Sequence, residues 1–276
     1  MTTNSALKKL AVATAGAAAM MAVGSLNMGE ANATTISGGG YTATDTIPYQ
    51  FQDISATGTR VLAGQDDAYT SAILGFNFSF FGNTYNSTAL STNGWLKFGN
   101  PNFSDLSNVN ITNTNVGNNL PTIAAFWDDI TFGAGGDAIY YQTVGTAGSQ
   151  RFITQWNQER RFSAGPGTAT FQAVLFEGSN DILVSYLDAQ FGNSSYDFGK
   201  DATVGIRDTD GHLNGSNLQW SYNQAVIGNQ TSICFNKSGG NCSVAKTPEP
   251  GSVLGLLALG GMVTASVLKR KKQQNG

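Results

Sequence analysis

Leu74, Phe76, Phe78 and Phe80 alternate with Gly75, Asn77 and Ser79. A period of two is the pattern of a strand with one buried face. It recurs, in short runs, through most of the chain. Alternation begins near Tyr49, and further strands fit Ala138 to Val144, Arg151 to Asn157, Thr168 to Glu177, Ile182 to Leu187, Ala202 to Ile206, Leu218 to Asn223 and Ile233 to Phe235. Gly-, Asn- and Asp-rich turns separate them, at 133–136, 145–148, 164–167, 177–181 and 208–215. Ala89 to Thr92 and Trp95 to Phe98 flank Asn93-Gly94, the pair that a two-residue type I′ hairpin turn selects because both central residues take positive φ. The Asn-rich stretch 100–119 reads as a long surface excursion. Many short strands with frequent turns predict an all-β, antiparallel β-sandwich. No helical period of normal length lies between the two ends of the chain.

The ends are of another kind. At the N-terminus, Lys8 and Lys9 precede an alanine-rich apolar run from Leu10 to Val23, and Ala31-Asn32-Ala33 has the small-x-small pattern of a cleavage site. Residues 1–33 therefore read as a secretory signal peptide, and 34–48 as a flexible lead into a domain over 49–245. At the C-terminus, Pro248-Glu249-Pro250 is followed by an uncharged apolar run, Val253 to Leu268, and then by Lys269, Arg270, Lys271 and Lys272. As a helix the run would be about 24 Å long, a short transmembrane span that snorkelling Lys269 extends. The basic cluster holds that end in the cytoplasm, as the positive-inside bias requires. Both ends thus place the intervening domain outside the inner membrane.

Charged residues make up 12% of the chain, the net charge is −3, and much of the positive charge lies in the two ends. A chain without a basic patch lacks the footprint of nucleic-acid binding. Cys234 and Cys242 are the only cysteines. In an oxidising compartment they are expected to form one local disulfide across the Ser238-Gly239-Gly240 turn.

Several side chains are candidates for chemistry. Asp128 and Asp129 are adjacent; as strand neighbours they would face opposite sides, so they cannot act as a facing carboxylate pair without a bulge. Asp208 and Asp210, with Gly211, resemble part of a calcium loop but lack the late Glu. These four acids are the candidate ligands for Ca²⁺, the one cofactor considered; a structural or turn role is the competing reading for each. Asp66-Asp67 reads as a solvated turn, and Arg160-Arg161 as a solvated pair able to meet an acidic glycan. His212, the only histidine, lies in a turn-rich loop. A serine triad would have to use it, yet no Gly-x-Ser-x-Gly elbow precedes a helix, and zinc catalysis needs more ligands than the chain offers. Trp95, Trp127, Trp156 and Trp220 lie within strands and read as packing residues, with a sugar-stacking platform as the alternative for one of them. Sequons occur at Asn86, Asn110 and Asn229 and carry little weight.

Two segments carry family resemblances. Phe78-Ser-Phe-Phe-Gly-Asn-Thr-Tyr85, Ser91-Thr-Asn-Gly-Trp-Leu-Lys-Phe98, Leu120-Pro-Thr-Ile-Ala-Ala-Phe-Trp-Asp-Asp129, Ala138-Ile-Tyr-Tyr141 and Arg151-Phe-Ile-Thr-Gln-Trp-Asn157, in that order, resemble the nidogen-like extracellular domain and its bacterial relatives. The likeness continues through Thr170 to Gly178 and Ala202 to Ile206. It implies a β-sandwich of extracellular, matrix or adhesive proteins, with no established catalytic residues to carry over. Ala125 and Asp128 depart from the Pro and the small residue common there. Residues 246–276 resemble the PEP-CTERM sorting signal of bacteria that make exopolysaccharide: Pro248, Glu249 and Pro250, then the apolar run, then the basic stop. That resemblance implies an exosortase-type membrane protease as partner, which acts near the motif and releases or re-attaches the domain.

Together these features describe an exported, non-catalytic protein of the cell surface or extracellular matrix. It is expected to be structural or adhesive, anchored in the inner membrane until its tail is processed, and in contact with extracellular polysaccharide or other surface proteins. The alternatives are a carbohydrate- or calcium-binding module and, from another class, a secreted hydrolase built on His212 and Asp128.

Overall fold

The computed structural model describes residues 34–101, 105–112, 119–133, 137–163, 165–237 and 242. The segment 1–33 read as a signal peptide, the Pro248–Pro250 motif, the apolar run and the Lys269–Lys272 cluster all lie outside these residues. Among the described residues no helix is long and apolar enough to cross a membrane.

Two antiparallel sheets form the domain. The smaller runs β14 (Asn217–Tyr222), β13 (Thr203–Arg207), β7 (Thr122–Trp127), β6 (Trp95–Lys97), β5 (Asn83–Ser91) and β4 (Tyr69–Phe80). The larger runs β1 (Thr35–Gly38), β2 (Tyr41–Thr44), β15 (Thr231–Asn236), β12 (Ile182–Asp188), β11 (Ala169–Phe176), β10 (Arg151–Arg161), β9 (Ala138–Val144) and β3 (Thr59–Val61), with β8 (Ile130–Thr131) pairing the far end of β10. One-turn α1 (Gly211–Asn214) and a 3-10 turn at Asp197–Gly199 are the helical pieces among the described residues.

The core between the sheets follows from the alternation. Leu74, Phe76, Phe78 and Phe80 of β4 are buried, while Ile73 on the opposite face is exposed. They meet Phe152, Trp156, Phe171 and Tyr186 of the larger sheet within one apolar cluster. Trp156 stacks on Phe171 with ring centroids 4.9 Å apart. Polar tips cross the gap to main-chain carbonyls: Trp156 Nε1 donates to Ser91 O at 2.8 Å, and the Tyr186 hydroxyl to Ala125 O at 2.6 Å. A buried Trp or Tyr usually finds such a partner, because a buried donor left unpaired costs about 1–3 kcal/mol.

The outer face of the larger sheet is also covered, which the alternation does not foretell. Residues 47–54 cross it as a strap, not as the strand expected near Tyr49. Directly paired Gln155, Gln172, Ser185 and Ser232 form a polar row over four strands. The strap's amides dock onto it: Gln50 N on Ser232 Oγ, Gln52 N on Gln172 Oε1 and Ile54 N on Gln155 Oε1. Beside this row Ile153, Val174, Leu183 and Cys234 form an apolar one. Strand β11 is consequently buried at all eight positions.

Three expectations need correction. Residues 34–48 are not a flexible lead: β1 and β2 form a hairpin, Thr35 and Ser37 pair through their hydroxyls with Thr44 and Thr42, and buried Tyr41 and Ala43 tie β2 to the core and to β15. The Asn93-Gly94 turn is a three-residue loop, Thr92 to Gly94, between the Leu90–Leu96 pair and its flanks. Gly94 alone of the three has positive φ, +71°, the pattern of a turn closed by a left-handed glycine. The excursion at 100–119 is partly inside, since Ile111 is fully buried against the outer face of the smaller sheet.

Cys234 and Cys242 are bonded, with Cα atoms 5.7 Å apart, and both sulfurs sit in the apolar row of the outer face. The closed loop is short. Replacing both cysteines by alanine is expected to lower the unfolding free energy by about 2–3 kcal/mol, read as a fall in urea midpoint.

Candidate functional site

The acids singled out in the sequence fall at two ends of one strand pair. Asp128 and Asp129 follow β7 at the bend into β8, where Trp127 pairs with Thr203. Asp208, Asp210 and His212 follow β13, whose Arg207 pairs with Thr122 at the start of β7. The two groups are separated by the length of β13, about 13 Å of strand. They form no joint cation site, and His212 is not placed with Asp128 as a catalytic pair.

At the second end the geometry is that of a turn. Gly211 N donates to Asp208 O, and Asp210 sits at φ +52° as the residue before α1. The carboxylate of Asp210 is engaged by the Asn119 amide. His212 Nδ1 lies 3.2 Å from buried Arg207, which also bonds Asn119 Oδ1 at 2.6 Å. Those contacts tie the loop to the sheet and leave no open acidic cradle.

The first end is a charged cluster. Asp128 is 1% exposed, and its Oδ2 lies 2.9 Å from Arg161 Nε, in ion-pair contact without hydrogen-bond alignment. Arg161 also donates to Asp129 O at 2.8 Å and to Asp201 Oδ2 at 3.0 Å, and stands over the Tyr196 ring. It is therefore not a solvated arginine; Arg160, by contrast, is more than a third exposed and reaches Asp137 at 3.3 Å. Burial raises the Asp128 carboxyl to about 7; Arg161 pulls it back down, and Asp201 and Asp129 push it up.

Asp66 and Asp67, read as a solvated turn, are brought to this cluster. One carboxylate oxygen from each of Asp66, Asp67 and Asp129 lies within 4.8 Å of the others. Burial, then like charge, raises Asp66; burial raises Asp129, with Arg161 opposing and Asp67 and Asp66 reinforcing. Buried Asn93 joins the acids to the sheet: its amide donates to Asp67 Oδ1 at 3.0 Å and Asp105 O at 3.2 Å, and its oxygen accepts from Ile130 N at 3.2 Å. Three carboxylates this close together suit a hard, oxygen-seeking cation such as Ca²⁺. Asp128 is held by Arg161 beneath them.

Two further groups escaped the sequence. Glu159 follows the bulge of β10, is fully buried, and neither carboxyl oxygen has a hydrogen-bond partner among the described residues. Burial raises it well above the usual carboxylate range. Lys97 of β6 is buried on the outer face between Trp95 and Trp127. Lysine on a strand reads as its solvent face, and only the covering 105–112 segment reverses that. Trp95, Trp127 and Trp156 are all buried and offer no sugar-stacking platform; Trp220 is half-buried against the core.

A family model described as NIDO related matches residues 40–246. No curated protein and no solved structure matches the chain.

Proposed function

From a chain that belongs to the NIDO-related family over residues 40–246, we propose a non-catalytic, structural or adhesive module of the cell surface or extracellular matrix. The observation that carries this reading is the family match over a domain closed by the Cys234–Cys242 disulfide. Both fit an extracellular module, since such bonds persist in oxidising compartments. The route is the one read from the ends: export by the segment 1–33, transient anchoring by 253–268, and processing near Pro248-Glu249-Pro250 by an exosortase-type protease. Contact with polysaccharide or surface proteins would then be made by neutral polar loops.

Intact-mass analysis of the exported protein, with fractionation of the cells, tests this. The expected product lacks both 1–33 and the Lys269–Lys272 cluster, and is found at the surface or in the medium. A mature form that keeps the apolar run and the basic cluster overturns sorting by cleavage.

A second reading, calcium binding, is favoured by the approach of Asp66, Asp67 and Asp129. A cation that binds the folded state alone raises the melting temperature in a concentration-dependent way. Millimolar calcium is expected to raise Tm of the wild type and not of an Asp67→Asn/Asp129→Asn variant. An unchanged wild-type Tm removes this reading and leaves the structural one standing.

A further inference from the structure

We propose that Lys97 and Asp105 condense into an intramolecular isopeptide bond, joining Lys97 Nζ to the side-chain carbonyl carbon of Asp105. The two groups are already in contact, Lys97 Nζ on Asp105 Oδ2, with the lysine 1% and the aspartate 11% exposed. The amine is walled by Trp95, 4.2 Å from its ring centroid, and Trp127, at 5.5 Å. The acid is held in place through its own main chain: Asp105 O accepts from Trp95 Nε1 and Trp127 Nε1, each at 3.3 Å, and from Asn93 at 3.2 Å. Ala89, Ala124 and Ile111 complete an apolar surround.

An ammonium and a carboxylate do not condense in water because hydration stabilises the separated ions. Burial removes that stabilisation, and a desolvated ion pair is costly to keep. Desolvation, helped by the charge of Arg207, lowers Lys97 to about 7, so the amine in contact with Asp105 gives up its proton far more readily than a solvated lysine. Fixed juxtaposition supplies the rest, since a held pair reacts at a very high effective molarity. The step balances: the N–C bond forms, one C–O bond breaks, and the departing oxygen leaves as water with two of the three ammonium protons. The product is a neutral amide that ties β6 to the segment covering the outer face of the smaller sheet.

Mass spectrometry of the exported protein, after reduction of the disulfide, tests this. The expected mass is one water below that of the mature sequence. Trypsin is expected to leave Lys97 uncut, and chymotrypsin, cutting after Phe98, to release a branched peptide joining Lys97 to Asp105. A Lys97→Arg variant keeps the water. A folded wild-type protein at full mass, with trypsin cutting at Lys97, overturns the proposal. So does a water loss that maps to a cyclic imide at Asp210-Gly211.

Discussion

Gly94→Ala is expected to prevent folding or to cost at least ~4 kcal/mol, a size reserved for a few mechanisms such as unrelieved backbone collision. A Cβ on residue 94 would lie 2.1 Å from Phe126 O and 2.7 Å from Phe126 C, at φ +71°. Backbone is the obstacle here, so no side chain can swing aside. The same contact is a binding contact: Gly94 O accepts from Ala125 N at 3.0 Å and Phe126 N at 3.1 Å, so the turn between β5 and β6 docks onto β7. Moving the turn would break those bonds and displace Asn93, which holds Asp67, Asp105 and Ile130 N. Gly82→Ala is the control. Its φ is +90°, but nothing lies within 4 Å of its added Cβ, so only the left-handed strain remains, about 1–2 kcal/mol. Urea unfolding of both variants checks the pair of expectations; equal losses would show that conformation, not collision, governs position 94.

Arg161→Met is expected to cost about 3–5 kcal/mol near neutral pH, the usual loss when one partner of a buried ion pair is removed. The loss should depend on pH, with a definite sign. Burial raises folded Asp128 from 3.8 to about 7. Between those values the folded chain keeps a proton that the unfolded chain has released, so this group's contribution to stability falls as pH rises. Removing Arg161 deletes the main attraction that opposes the rise. The Asp128 pKa then climbs further and the destabilising window widens upward. The Arg161→Met protein should therefore approach wild type on acidification and weaken steadily toward alkaline pH. Adding Asp128→Asn is expected to abolish the extra pH dependence that Arg161→Met introduces, because no ionisable group then remains at position 128; the slope from the other raised carboxyls, Glu159 among them, is left unchanged. A pH-independent loss in Arg161→Met would mean that packing against Tyr196, and not the Asp128 charge, is what the arginine supplies.

The strands were legible where one face is buried and the other wet. Leu74 to Phe80 lies at an edge of the smaller sheet, so its pattern survives in the structure. The bounds of 138–144 were read to the residue, set off by the Gly-rich turns at 133–136 and 145–148. The hairpin β1–β2 was not legible, because Thr, Ser and Gly in a short run carry turn and lead composition; its stability comes from Tyr41 and Ala43 meeting the core. The strap at 47–54 was misread because its alternation records contacts with a polar row on the sheet below, not hydrogen-bonded strand neighbours. The candidate site was half legible. Asp128 and Asp129 were singled out, but Asp66 and Asp67, more than sixty residues earlier, join Asp129 only through the packing of the segment before β4 against the β7–β8 bend.

The amino-acid order alone pointed to the class of fold and to the disulfide partners. Those properties rest on local chemistry: period-two burial, and a pair of cysteines without rivals. Tertiary structure alone decided which charges are dry. Lys97, Arg161, Arg207, Asp128 and Glu159 sit in strands or bends whose sequence does not distinguish them from a solvated face. Their burial comes from packing that period-two patterning does not record, as where the segment of Asp105 and Ile111 covers the face that carries Lys97, and the resulting desolvation is what turns an ordinary surface residue into a candidate for chemistry.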